Sequence, residues 1–199
     1  RSGLIAAIAC GSAVGLVNGL VIARFRINAL ITTLATMQIV RGLALISSDG
    51  RAVGINDPSF YQLALSRFLG IPTPIWVMLA MFIIFGFLLN RTVFGKNTLA
   101  IGGNPEASRL AGVNVVKMRV WIFMAQGLVC GIAGILLASR ITSGQPNAAT
   151  GLELSVISAC VLGGVSLAGG RAAMSGVIVG VLIMGIAENV MNLLNIQAF

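Results

Sequence analysis

The sequence predicts an all-α, polytopic membrane protein: a bundle of about six transmembrane helices with one short helix on the cytoplasmic side. Two features of composition point there. Hydrophobic residues make up 57% of the chain and charged residues only 9%, against about 25% charged in an ordinary soluble domain. Mean hydropathy is +1.00. The third observation is spacing: apolar runs of roughly 20 residues recur, the length that crosses a hydrocarbon core. The net charge of +8 does not point to nucleic acid, because the cations sit between apolar runs rather than on one water-exposed face. Arg1 stands where an initiator Met would be, and Phe199 falls inside an apolar pattern, as expected of a piece of a longer protein. No leader is recognisable, because no small-residue cleavage site follows the first run.

Residues 4–23 form the first predicted span, and Gly11, Gly15 and Gly19 give it one smooth face for close helix contact. Asn18 interrupts it, and Arg24 and Arg26 mark a cytoplasmic end. Residues 27–46 form the second, carrying Thr32, Thr33, Thr36, Gln38 and Arg41. A lipid-facing helix accommodates Arg41 poorly, so this helix is expected to be buried in protein or to line a wet cavity.

Residues 47–72 form a polar connection on the outer side, with Asp49-Gly50 and Asp57-Pro58 as turn signals and a short helix over 61–69. Residues 73–89 form the third span, opened by Pro72 and Pro74 and anchored by Trp76 at an interface. Residues 120–139 form the fourth, with Gly127, Gly131 and Gly134 as a small-residue face.

After a short outer loop over 140–150, residues 151–170 are apolar but broken by Gly163-Gly164 and Gly169-Gly170. They read as a short or tilted helix, or as two half-helices. The doublets serve either as kinks or as points of tight packing. Glu153 belongs to the first turn of that segment, where the helix dipole favours an anion. Residues 172–194 form the last span, with Gly176 and Gly180 spaced for packing. Gly15-x-x-Asn18 and Gly185-x-x-Glu188-Asn189 echo each other faintly, as the halves of a repeat-built transporter would.

Charge fixes the orientation. Arg24, Arg26, Arg91, Lys96, Arg109, Lys117, Arg119 and Arg171 fall on the inner side, and Arg1, Arg51, Arg67 and Arg140 on the outer. The bias places residues 91–119 in the cytoplasm and both ends of the chain outside. The whole of 1–199 reads as a single transmembrane domain.

The longest polar stretch, RTVFGKNTLAIGGNPEASRLAGVNVVKMRVW from Arg91, holds a helix over 104–111 with every local signal in place. Asn104 is an N-cap, Pro105 needs no donor at the first helical position, and Glu106 complements the dipole. Arg109 lies nearer the C-terminal end, and Gly112 follows Leu110 and Ala111 as a left-handed stop. Two turns are too few to be stable alone in water, so something must hold the helix. The expectation is that it docks into a cytoplasmic partner.

No enzyme constellation is present. The chain has no His and three scattered Cys, all inside apolar runs, so no metal site or cofactor is expected. Gly95-Lys96 lacks the upstream Gly and the following Ser or Thr of a Walker A loop, so ATP hydrolysis is not expected in this chain. Gln38 with Arg41 either contacts a polar substrate or is a structural group neutralised by carbonyls or by Glu188. Glu188 and Asn192, four residues apart on one helix face, either belong to the pathway or bond helix to helix.

AIGGNPEASRLAGVNV (100–115), GLELSVISACVLGGVSLAGG (151–170) and TLATMQIVRGLAL (33–45) resemble the permease subunits of bacterial ABC sugar importers of the ribose, galactose, xylose and arabinose type. The resemblance covers essentially the whole chain and is strongest to the L-arabinose systems. It implies a multi-pass protein of the bacterial inner membrane, paired with a second permease copy. Cytoplasmic ATPase subunits would drive it, and a periplasmic sugar-binding protein would deliver a monosaccharide. The loop around 104–112 matches the place where such permeases dock their ATPase, whose closure would move the spans on either side. The alternatives from the residues alone are an ion-coupled carrier in which Glu188 or Arg41 does the coupling, and a membrane scaffold with no transport role.

Overall fold

The computed structural model describes residues 2–55 and 57–194. Arg1, one of the cations placed outside, lies beyond them. Among the described residues, five helices are long and apolar enough to cross a membrane. They are α1 (Ser2–Phe25), α2 (Ala29–Ser47), α4 (Thr73–Arg91), α7 (Val115–Ile141) and α9 (Met174–Leu193). Shorter helices α3 (Pro58–Leu65), α5 (Val93–Gly103), α6 (Pro105–Leu110) and α8 (Leu152–Leu162) lie between them, with two-residue strands β1 (Val53–Gly54), β2 (Arg67–Phe68), β3 (Ile71–Pro72) and β4 (Ser143–Gly144). The all-α, polytopic membrane class is therefore the observed one.

The chain divides into two compact units that interleave in sequence. The first runs through Phe85 and resumes over Gly112–Ala148, and the second comprises Gly86–Ala111 and the chain from Ala149.

In the first unit, α1 and α7 pack antiparallel through glycine. A Cβ on Gly11 would stand 2.5 Å from the carbonyl oxygen of Gly127, and one on Gly19 would stand 2.8 Å from Val120 Cα. Between them, Gly15 faces the carbonyl of Phe123, and Gly131 lies against Ala7 and Ile8. The predicted small-residue faces thus meet each other, because in lipid the gain comes from close backbone approach. Gly134 is the exception: nothing lies within 4 Å of its Cβ position. It lines a cavity together with Gly3, Leu4 and Ala7 of α1. Asn18 lies on the same helix, 9% exposed, with its Oδ1 buried and without a hydrogen-bond partner.

The start of α7 differs from expectation. The helix begins at Val115 rather than at residue 120, because Asn114 Oδ1 accepts from the Lys117 N–H at 3.1 Å as an N-cap. Asn28 does the same for α2, accepting from Leu30 at 2.9 Å.

The outer connection also differs. Pro58 begins α3, and the helix stops at Leu65 rather than running to residue 69. The chain then turns through Leu69 (φ +53°) and Gly70 (φ +78°) so that β2 pairs with β3. Two successive positive φ values are the signature of a type I′ hairpin, which overrides helical propensity here. The hairpin is fixed to α4, since Trp76 Nε1 donates to the Phe68 carbonyl at 3.2 Å and the two rings stack edge to face at 5.8 Å.

Ser139 secures α3 to α7. It is fully buried, donates to the Phe60 carbonyl at 2.6 Å and accepts from the Ala64 N–H at 3.1 Å. Those two backbone groups are the ones an α-helix ordinarily joins to each other, so the hydroxyl bridges one rung of α3. β1 also pairs with β4. Both loops that the charge count puts outside are therefore held together.

In the second unit, the segment 151–170 resolves as a short helix. The 11 residues of α8 rise about 16 Å, near half of a hydrocarbon core of about 30 Å. Gly163 and Gly164 end it, and no second half-helix follows before α9. Glu153 does lie in its first turn. Gly163 packs on Gly176 and Val177, and Gly180 on Ala159, so α8 and α9 meet as closely as α1 and α7 do. Gly185, by contrast, has nothing within 4 Å of its Cβ position. The faint repeat of Gly15 and Gly185 therefore does not extend to their packing.

Candidate functional site

The polar loop contains two helices, where the sequence reading had one. Thr92 caps α5, its Oγ1 accepting from the Gly95 N–H at 3.2 Å. Gly95 lets α5 fold back on the end of α4, where a Cβ would strike the backbone of Leu88 and Leu89. Ile101 is buried on α5. Asn104 then serves both helices. Its N–H donates to the Ala100 carbonyl at 2.9 Å, closing α5. Its Oδ1 accepts from the N–H groups of Glu106 and Ala107, each at 3.0 Å, opening α6.

The remaining signals sit as the sequence placed them. Pro105 is at the first position, Glu106 in the first turn and Arg109 in the last. The Ala111 N–H donates to the Ala107 carbonyl at 3.0 Å, and Gly112 takes φ +86°, where a side chain would be strained. A residue that the sequence reading passed over holds the inner face: Ser108 is buried, with its hydroxyl on the Asn104 carbonyl at 2.8 Å. Pro105, Glu106, Ala107, Arg109 and Leu110 all face outward. Leu110 is 87% exposed, an apolar side chain held out on a rigid, doubly capped turn.

The other candidate residues are distributed differently. Gln38 is exposed and Arg41 half-buried, one turn apart on α2 in the first unit. Glu188 is half-buried on α9 in the second unit. Asn192 lies on α9 one turn further on, and its side chain falls outside the described part. The threonines of α2 need no external partner, because Thr32, Thr33 and Thr36 each donate to a carbonyl of their own helix at 3.0 Å. Gln38 and Arg41 are thus what sets α2 apart from an ordinary lipid-facing helix.

A family model described as "Branched-chain amino acid transport system / permease component" matches residues 2–198. The chain belongs to this permease family. Among similar proteins, the L-arabinose transport system permease protein of Escherichia coli K12 is 65% identical over 183 residues, covering 92% of this chain and 56% of the relative. The L-arabinose ABC transporter permease protein of Azospirillum brasilense is 57% identical over 197 residues, covering 99% and 58%. The ribose import permease protein of E. coli K12 is 39% identical over 198 residues, covering 98% and 62%. The chain therefore spans little more than half the length of these permeases. No solved structure matches it.

Proposed function

We propose that this permease chain is the greater part of one membrane-spanning subunit of an ATP-binding-cassette importer. It carries a monosaccharide, L-arabinose foremost, across the bacterial inner membrane. The observation that carries this reading is α6: a surface helix capped at both ends, with Leu110 held out uncovered. A helix of 6 residues is not stabilised by its own ladder, and so much local fixing of so short an element fits a contact that must pass on a partner's motion. The sugar follows from the relatives, whose names give L-arabinose at the higher identities.

The full reading is a single transmembrane domain with residues 91–119 on the cytoplasmic side. α6 docks a separate ATPase subunit, a second permease copy completes the pathway, and a periplasmic binding protein supplies the sugar. ATP is hydrolysed by the partner, not by this chain. Gln38 and Arg41 on α2, and Glu188 and Asn192 on α9, are the proposed polar contacts along the pathway.

The test uses the full-length permease with its ATPase subunit. Glu106→Arg reverses the charge at the α6 N-terminus, and Gly112→Val forces a β-branched residue into a left-handed backbone. Both are expected to abolish co-purification of the ATPase while leaving membrane insertion intact. An ATPase that still co-purifies with both variants would show the docking assignment to be wrong. Uptake by the reconstituted complex, assayed with a panel of labelled sugars, identifies the cargo. If uptake collapses with an uncoupler while ATP persists, the chain is an ion-coupled carrier instead. For the pathway, Arg41→Ala is expected to lower uptake roughly tenfold, equivalent to losing a contact worth about 1.4 kcal/mol, with complex assembly unchanged. Normal uptake in that variant would make Arg41 a structural cation.

A further inference from the structure

The C-terminal end of α5 meets a distant part of the chain through backbone alone. A Cβ on Gly102 would stand 2.5 Å from the Gly170 nitrogen, one on Gly169 2.7 Å from the Gly102 carbonyl oxygen, and one on Gly170 2.6 Å from Gly103 Cα. Gly169 and Gly170 adopt φ +91° and +77°, so the turn between α8 and α9 is built to bring its backbone flush against α5. That turn is closed on itself: the Ser166 N–H donates to the Arg171 carbonyl and the Gly169 N–H to the Ser166 carbonyl, each at 3.0 Å. At its other end, α5 is seated on Leu88 and Leu89 through Gly95. α5 is therefore gripped at both ends, by the last turn of α4 and by the α8–α9 turn, and it leads directly into α6 through Asn104.

The division of the chain agrees with this. α5, α6, α8 and α9 belong to one compact unit, and the boundary falls between Ala111 and Gly112, ahead of α7. Gly112, at φ +86° with open space around it, lies in the short link between α6 and α7. From sequence adjacency alone, motion of α6 would be expected to pass to the spans on either side of the loop. The backbone contacts within the second unit offer a further route, to α8 and α9.

We propose that α5 is the transmission element of this permease. Displacement of α6 reaches the paired helices α8 and α9 through the backbone contact of Gly102-Gly103 with Gly169-Gly170. Gly102 and Gly170 are positioning residues: they touch neither sugar nor ATP, but they make the α8–α9 pair follow α6. This rests on the reading of α6 as the ATPase dock. Because α8 is of half-membrane length, a small shift of its glycine-terminated end changes the depth at which helical backbone gives way to loop. That is a suitable place to open or close a path. Tight backbone packing transmits such a shift because it has no soft side chain to absorb it.

The structure supplies its own control. A Cβ on Gly103 meets only Gly170 Cα, at an ordinary 3.8 Å, so Gly103→Ala makes the same chemical change one residue away without a clash. In the full-length complex with its ATPase, Gly102→Ala is expected to lower sugar uptake per ATP hydrolysed by about tenfold, inside the range of typical coupling energies. ATPase binding is expected to be retained and Gly103→Ala to match wild type. A merely structural role would lower uptake and hydrolysis together and leave their ratio unchanged.

A second measurement leaves the contact intact and covers a Gly102→Ala protein that fails to assemble. Leu167, 72% exposed in the α8–α9 turn, is replaced by cysteine in a background with Cys10, Cys130 and Cys160 changed to alanine. Its labelling rate by a thiol reagent is expected to change several-fold when a non-hydrolysable ATP analogue binds the ATPase. A labelling rate indifferent to nucleotide, or a Gly102→Ala complex with the wild-type uptake-to-hydrolysis ratio, overturns the proposal. Either result in a complex whose α6 variants lose the ATPase leaves the docking reading standing, so the two can fail separately.

Discussion

Replacing Gly127 with valine is expected to separate α1 from α7 and to remove most of the folded protein from the membrane fraction. A Cβ at Gly127 would run into the carbonyl of Gly11 and stand 3.0 Å from Gly15 Cα. Both obstacles are helix backbone, which cannot rotate aside. Overpacking an ordinary core costs about 1–3 kcal/mol, because side chains there can readjust; here the two helices must move apart along the whole contact. The local effect has the opposite sign, since glycine is a poorer helix former than valine by a few tenths of a kcal/mol. Any loss therefore reports packing. Gly134→Val is the matched control, with nothing within 4 Å of its Cβ position. Thermal unfolding of the purified full-length protein in detergent measures both. Equal unfolding temperatures for the two variants would mean that the α1–α7 contact contributes little.

Ser139→Ala is expected to destabilise the protein by about 1–3 kcal/mol, the range for buried polar groups left without a partner. The serine is fully buried, and its hydroxyl serves Phe60 and Ala64 of α3 at once. Its removal leaves a donor and an acceptor in α3 facing an apolar methyl. The damage is expected to be local, so amide hydrogen exchange should accelerate over Pro58–Leu65 before it changes in α1 or α7. Unchanged protection of the Ala64 amide in the alanine variant would show that α3 closes that rung without help.

What the sequence made legible was whatever depends on near neighbours. The capped turn of α6 is written in consecutive residues, Asn104-Pro105-Glu106 at one end and Ala111-Gly112 at the other. The long spans are visible because twenty apolar residues need no context. α5 was not visible, because Gly95, Gly102 and Gly103 count against helix by propensity. Their reason for being glycine is a backbone partner elsewhere, at Leu88 or at Gly170. The same blindness mistook Gly134 for a packing residue alongside Gly127 and Gly131: spacing shows which glycines share a face, not which of them a neighbouring backbone closely approaches. Ser139 gave no signal at all, since a serine near the end of an apolar span is unremarkable until α3 is seen against it. Asn114 and Asn28 could have been found, for both stand where Asn104 stands, immediately ahead of a helix. The residues proposed for the pathway are harder for the same physical reason. Gln38, Arg41 and Glu188 are polar in apolar runs, and only the arrangement of whole helices decides what each one meets.

The interleaving of the two units bears on how the chain is made. The glycine face of α1 has its partner face around Gly127 and Gly131, more than a hundred residues downstream. At about 5–20 residues per second of synthesis, α1 waits on the order of ten seconds in the bilayer before α7 exists. A strand edge or an oily core face would be exposed to aggregation over such a delay. A row of glycines in lipid has every backbone group already bonded within its own helix, so the unfinished protein can wait with its contact surface open.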